Sequence, residues 1–263
     1  MKKFKQLSLL MVLILALSAF AVGCGGGSED NDNNENVEDK VVIGHDVNFV
    51  PFEYKDSETG KYVGFDIDFI EAIAQEAGFN YELEAMSFDG LIPALQADKV
   101  DIAIAGMTIK PDREEKVDFA QPYYDAGLHL LVSADNEEIN GIEDLEGKVV
   151  ASKSGTTSYD FSKEVEGVES VTPFKTIVEA YQELDKGAAD AVIFDSPAVL
   201  QYANDEGKGK VKIVGPLYEG QQYGVALQKD SELTAQVDEA IDTLRENGTY
   251  DEIYEKWFGQ KPE

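Results

Sequence analysis

The sequence has a single cysteine, Cys24, and two histidines, His45 and His129, among 263 residues. A lone thiol excludes an internal disulfide framework and any cysteine-rich zinc site, and two imidazoles leave little material for a metal centre or histidine-based catalysis. Positive charge is scarce as well: 22 lysines and arginines stand against 52 acidic residues, a formal charge of -30. A surface so negative repels phosphate backbones and anionic headgroups, so nucleic acid is the wrong partner class. With only 8 prolines and 43% apolar side chains, the chain is too apolar for disorder over most of its length and too long for one minimal domain. It reads as a globular binder, with no cofactor and no metal expected.

The N-terminus reads as an address. Lys2, Lys3 and Lys5 precede an apolar run from Leu9 to Leu17, and small residues lead into Ala21-Val22-Gly23-Cys24 and a glycine triplet. That order is a bacterial export signal over residues 1–23, its apolar stretch falling short of the ~20 residues a spanning helix needs. The residues before Cys24 resemble the lipobox of bacterial lipoproteins, in which the cysteine takes the lipid and becomes the mature N-terminus. Ala21 stands where that pattern usually has Leu, and cleavage after Ala19-Phe20-Ala21 is the alternative. Residues 25–39 hold one apolar side chain larger than glycine, Val37, too little to offset the entropy of ordering, so 24–39 reads as a lipidated cysteine plus a flexible acidic linker. The expected location is outside the cytoplasm, anchored to the cell membrane through Cys24 only.

From Lys40 short β-rich runs alternate with amphipathic stretches. Strands are predicted over Val41–His45, Tyr81–Glu84 and Asp101–Ala105, with helices over Asp68–Ala77 and Gly90–Ala97. The alternation restarts after Gly141: strands Val149–Lys153, Ser170–Phe174 and Asp190–Asp195, with helices near Tyr159–Glu164, Thr176–Lys186 and Ser196–Asp205. The halves echo each other, because residues 95–103 and 184–192 each run helix, Asp-Lys turn, Asp, buried strand. Tyr123–Ala134 lies between the halves, and a second extended run, Val211–Leu227, precedes two terminal helices. If those helices pack on the first half, the chain crosses between two α/β lobes twice, and the cleft so hinged is the default binding site.

Residues Gly64-Phe65-Asp66-Ile67-Asp68-Phe69-Ile70-Glu71-Ala72-Ile73-Ala74-Gln75-Glu76-Ala77 resemble the signature of the polar amino-acid solute-binding proteins of ABC importers, solute-binding protein family 3. The likeness runs from about Lys40 to Phe258. It is nearest to the glutamine-binding members in Phe49-Val50-Pro51-Phe52-Glu53, Lys153-Ser154-Gly155-Thr156, Gln221-Gln222-Tyr223-Gly224 and the run from Thr243 to Tyr250. The resemblance implies an α/β fold of the type II periplasmic-binding-protein kind, two lobes joined by a two-strand hinge with the ligand in the cleft. It implies a large lobe of 41–122 plus 224–263, a small lobe of 128–218, and hinge strands 123–127 and 219–223. The implied role is that of an extracytoplasmic lipoprotein, monomeric, that captures a free polar L-amino acid, glutamine by preference, and delivers it to an ABC permease in the cytoplasmic membrane.

A free amino acid shows a carboxylate and an ammonium, and its binder must bring a cation and an anion to opposite sides of one carbon. Arg113 is the candidate cation, its guanidinium able to grip a carboxylate with two parallel bonds. By the resemblance, the stretch that starts at Ala105, itself in the implied ligand-binding set, supplies a backbone carbonyl at Gly106 and a hydroxyl and an amide at Thr108. Asp195 would take the ammonium, capping of the following helix being its other reading. The Gly155-Thr156-Thr157-Ser158 turn would point amides at the ligand carboxylate. Asp46 and Lys153 would meet the two ends of a side-chain amide and reject charge of either sign, with Phe49 and Phe88 flanking the aliphatic stem. Phe194 stands where the glutamine-binding members carry His, which leaves asparagine, histidine or arginine open as ligands. A dehydratase of the cyclohexadienyl or arogenate type, derived from such binders, is the enzymatic alternative.

Overall fold

The computed structural model describes residues 40–262; the expected signal, Cys24 and linker lie outside the described residues. The first part comprises β1 (Val41–His45), β2 (Asn48–Phe49), β3 (Glu53–Lys55), β4 (Tyr62–Val63), α1 (Phe65–Ala77), β5 (Tyr81–Ala85), α2 (Phe88–Gln96), β6 (Ile102–Ala103), α3 (Pro111–Glu114) and β7 (Asp118–Phe119). β8 (Tyr124–Ser133) opens the second part, followed by β9 (Val149–Lys153), α4 (Thr157–Glu164), β10 (Ser170–Phe174), α5 (Ile177–Asp185), β11 (Ala191–Asp195), α6 (Ser196–Asn204) and β12 (Val211–Tyr223). β13 (Ala226–Leu227), α7 (Leu233–Glu246) and α8 (Thr249–Phe258) complete the chain.

Besides a separate three-stranded sheet of β2, β3 and β4, two five-stranded sheets organise the two α/β lobes. One has the order β5-β1-β6-β13-β7, the other β10-β9-β11-β8-β12. In each, the strands supplied by βαβ units are parallel and the strands arriving from the crossings are antiparallel. The chain passes between the sheets twice, from β7 to β8 and from β12 to β13. β8 and β12 pair with each other up to Tyr124 opposite Tyr223. The terminal helices pack on the first lobe: Val237, Ile241, Leu244 and Tyr250 share one buried cluster with Phe65, Phe69 and Ile73 of α1.

The internal echo has a structural meaning. Asp101 accepts the Val42 amide through its side chain at 2.8 Å and donates its own amide to the Val42 carbonyl at 2.8 Å. Asp190 treats Val149 the same way, at 2.8 Å for both bonds. Each aspartate therefore fastens the start of the first parallel strand of its own sheet and satisfies a backbone donor that no neighbouring strand reaches.

Several boundaries differ from those predicted. Helix α1 begins at Phe65 rather than Asp68, because the amides of Phe65 and Asp66 bond the carbonyls of Pro51 and Phe52 at 3.0 and 2.9 Å. These are N-terminal donors that the helix itself cannot satisfy. Gly64 makes the approach possible: its φ is +141°, and a Cβ there would sit 1.9 Å from the Phe52 carbonyl oxygen. The strand predicted over 101–105 is only Ile102–Ala103, and its last residues turn into the cleft. The run predicted over 211–227 is two strands parted at Gly224 and Val225, where the chain changes sheets and the Gly224 amide bonds the Met107 carbonyl at 3.0 Å.

Candidate ligand-binding site

Strands of parallel sheets release their loops at the carboxyl edge, where side chains can converge. In the first lobe Asp46 follows β1, Ala105 and Gly106 follow β6, and Phe49 ends β2. In the second, Lys153 ends β9, Phe194 and Asp195 end β11, and Thr156 caps α4, its hydroxyl accepting the Tyr159 amide at 3.2 Å. Phe49, Phe88, Ala105, Gly106 and Thr108 face Lys153, Thr156, Thr157, Phe194 and Asp195 across one cavity. The space among them is about 10 Å³, room for about one water molecule. The lobes stand closed on each other, and a ligand of amino-acid size requires them to part. Gly106 lines this space with φ +53°, and a Cβ there would come within 2.2 Å of Phe49 Cε1, so only glycine fits. Phe49 meets Phe194 edge to face, with centroids 5.7 Å apart.

Asp46 and Arg113 stand one contact behind this lining. Lys153 donates directly to Asp46 Oδ2, and the two side chains are 2% and 3% exposed. The sequence reading set them at opposite ends of a ligand amide; here they address each other across the cleft, each offsetting the other's buried charge. The Lys153 ammonium also lies 5.3 Å from the Phe88 ring centre and 5.8 Å from that of Phe49. Arg113 is buried, donates from Nη1 to the Thr108 carbonyl at 2.8 Å and from Nη2 to the Gly155 carbonyl at 3.1 Å, and sits over Phe88. Burial lowers its pKa, opposed by the charges of Asp112 and Asp195.

Asp195 begins α6 but makes no side-chain cap. Its Oδ2 instead accepts the Tyr223 hydroxyl at 2.6 Å and its Oδ1 the Ser158 hydroxyl at 3.2 Å. Burial raises its pKa, and those two hydrogen bonds, Lys153 and Arg113 pull it back down. Tyr223 and Ser158 were not singled out from sequence, nor was Gln221, a buried residue whose Oε1 accepts from Thr108 at 2.9 Å and Thr157 at 3.2 Å. Gln221 and Tyr223 sit in a run quoted for the resemblance, Gln221 to Gly224, and Ser158 in the helix-opening turn Gly155 to Ser158; that positional signal was present, but their partners lie far away in sequence.

Residues 41–260 match the profile of the bacterial extracellular solute-binding proteins, family 3. The chain belongs to this family. Among its relatives is the arginine-binding extracellular protein ArtP of Bacillus subtilis (strain 168), 33% identical over 237 residues that cover 86% of this chain and 89% of that one. An ancestral arginine-binding protein solved bound to arginine is 44% identical with a TM-score of 0.79, covering 83% of this chain and 98% of its own. An ancestral arginine-binding protein solved bound to glutamine is likewise 44% identical, with a TM-score of 0.80, covering 84% of this chain and 98% of its own. The fold is thus the two-lobed type II periplasmic-binding-protein architecture. The protein is an extracytoplasmic solute-binding protein of transport, as its family and structural relatives are, rather than an enzyme.

Proposed function

We propose that this family member captures one free polar L-amino acid between its lobes, glutamine by preference, and presents it to an ABC permease. The chain works as the amino-acid-binding component of an importer, held at the membrane by lipid on Cys24. The observation that carries the ligand reading is the buried Lys153–Asp46 pair beside a cleft that also holds Arg113 and Asp195. When the lobes part, Arg113 exchanges its carbonyl contacts for the ligand carboxylate, a stronger charge-assisted pair. Asp195 takes the ammonium, joined by the Gly106 carbonyl and the Thr108 hydroxyl. Thr156 and Thr157, at the start of α4, add donors on the carboxylate side.

Glutamine suits the remaining pair because its amide offers one donor to Asp46 and one acceptor to Lys153. Arginine would set a second cation near Lys153, and like charges ~4 Å apart at an effective dielectric near 20 cost about 4 kcal/mol. Phe49, Phe88 and Phe194 enclose the stem. The hinge comprises residues 123–127 and 219–223; the pairing of Ala126 with Gln221 and of Tyr124 with Tyr223 supports that placement.

A thermal-shift screen of the free amino acids at one concentration tests the reading. Ligand at ~100 times its dissociation constant stabilises by about 2.7 kcal/mol, and glutamine is expected to give the largest shift. A larger shift with arginine, histidine or asparagine overturns the glutamine assignment, and no shift with any of them overturns the amino-acid reading.

A further inference from the structure

The signature aspartate Asp66 is not on the cavity, yet it is fully buried, as is Glu53 of β3. Gly64 lets the start of α1 close against the β2–β3 turn, and this sets the two carboxyl groups facing each other. Asp66 Oδ2 accepts the Gly106 amide at 2.8 Å and the Tyr123 hydroxyl at 2.9 Å. Three further oxygens, Asp66 Oδ1 and both of Glu53, have no donor among the other described residues. Buried carboxylate oxygens without donors are costly, and two adjacent buried carboxylates cannot both stay ionised cheaply.

We propose that Glu53 and Asp66 share one proton at neutral pH and act as positioning residues, fixing Gly106 for the ligand and tying it to Tyr123 at the lobe crossing. The inference rests on the proposed function, since Gly106 is read there as a ligand contact. With the proton between them, Glu53 donates to the free oxygen of Asp66, and the other oxygen holds Gly106 and Tyr123. Without it, two like charges in contact push Asp66 away from both donors or draw water between them. Burial supports the direction: it raises both groups, Asp66 to about 7. The other groups facing the pair are Tyr123, whose hydroxyl burial keeps neutral, and Asp46 and Lys153, which act on Glu53 with opposite sign and offset each other as an ion pair. His45 lies one residue away on β1, where burial disfavours its cation.

Glu53→Gln tests the proposal, because an amide donates to Asp66 at every pH. Infrared difference spectra of the wild-type protein at neutral pH are expected to show the C=O stretch of a protonated buried carboxyl, shifted in heavy water and absent from Glu53→Gln. Titration calorimetry with glutamine is expected to show wild-type affinity falling on the order of tenfold from about pH 6 to about pH 9, with Glu53→Gln holding its acid-side affinity throughout. Absence of the protonated band, or a Glu53→Gln profile as steep as the wild type, overturns the proposal. If no amino acid binds the wild-type protein, the proposed function fails while the infrared band still decides the pair.

Discussion

Lys153 reaches from the second lobe to bond Asp46 of the first, and neither side chain is appreciably exposed. In the proposed function this pair sets the charge balance that the ligand side chain meets. Lys153→Met removes the cation and leaves Asp46 buried alone, a change expected to destabilise the closed form by about 3–5 kcal/mol. Arginine then becomes the better ligand, its guanidinium replacing the lost ammonium. Thermal shifts of the variant with arginine and with glutamine check this, and an unchanged glutamine preference would refute the account of selectivity.

Arg113 donates to two backbone carbonyls from opposite lobes, which is the forked geometry a ligand carboxylate requires. Arg113→Ala is expected to weaken binding of every amino acid by roughly 2–5 kcal/mol. Arg113→Lys recovers little of that, since a point charge cannot grip both oxygens. Calorimetric titration of both variants with glutamine measures the difference.

Gly106→Ala places a methyl into the Phe49 ring on a left-handed backbone. The expected cost is about 1–3 kcal/mol in stability, together with loss of ligand affinity as Phe49 is displaced from the wall. Urea unfolding with and without ligand separates the two effects.

Stability should decline as pH rises from about 4 through neutrality. Burial raises the carboxyls of Glu53, Asp66 and Asp195, that of Asp66 from 3.8 to about 7. The folded protein therefore binds more protons than the unfolded chain from about pH 4 upward, and stability is lost as pH climbs through that window, by up to ~1.4 kcal/mol per unit for one such group. Denaturant midpoints at about pH 5 and about pH 8 give the sign; equal midpoints would contradict these burial effects.

Asp101 holds the second amide of β1, that of Val42, and Asp190 the first amide of β9, that of Val149. Replacing either by alanine leaves that donor without its partner and is expected to cost about 1–3 kcal/mol, read from the shift of the urea midpoint.

The lobes were legible because their elements are long, buried and periodic, and because the Asp-Lys turn occurs twice with its aspartate at the same place before a strand. What escaped the sequence reading depends on distant partners. The early start of α1 requires carbonyls from the β2–β3 turn. The part played by Gln221 requires hydroxyls from both lobes, at Thr108 and Thr157. Charge type marked Asp46 and Lys153 as informative, but nothing local says that two side chains 107 positions apart meet each other.

β13 lies inside the first sheet, between β6 and β7, although it is made after the whole of the second. Its two residues pair on both sides, Ala226 with Ala103 and with Phe119. A growing chain consequently holds a gap in its earliest sheet until nearly everything else has been synthesised, while the later sheet already has all five of its strands. The N-terminal half thus cannot mature first, contrary to the usual order during synthesis, and a polypeptide truncated before Ala226 would keep an open seam beside β6.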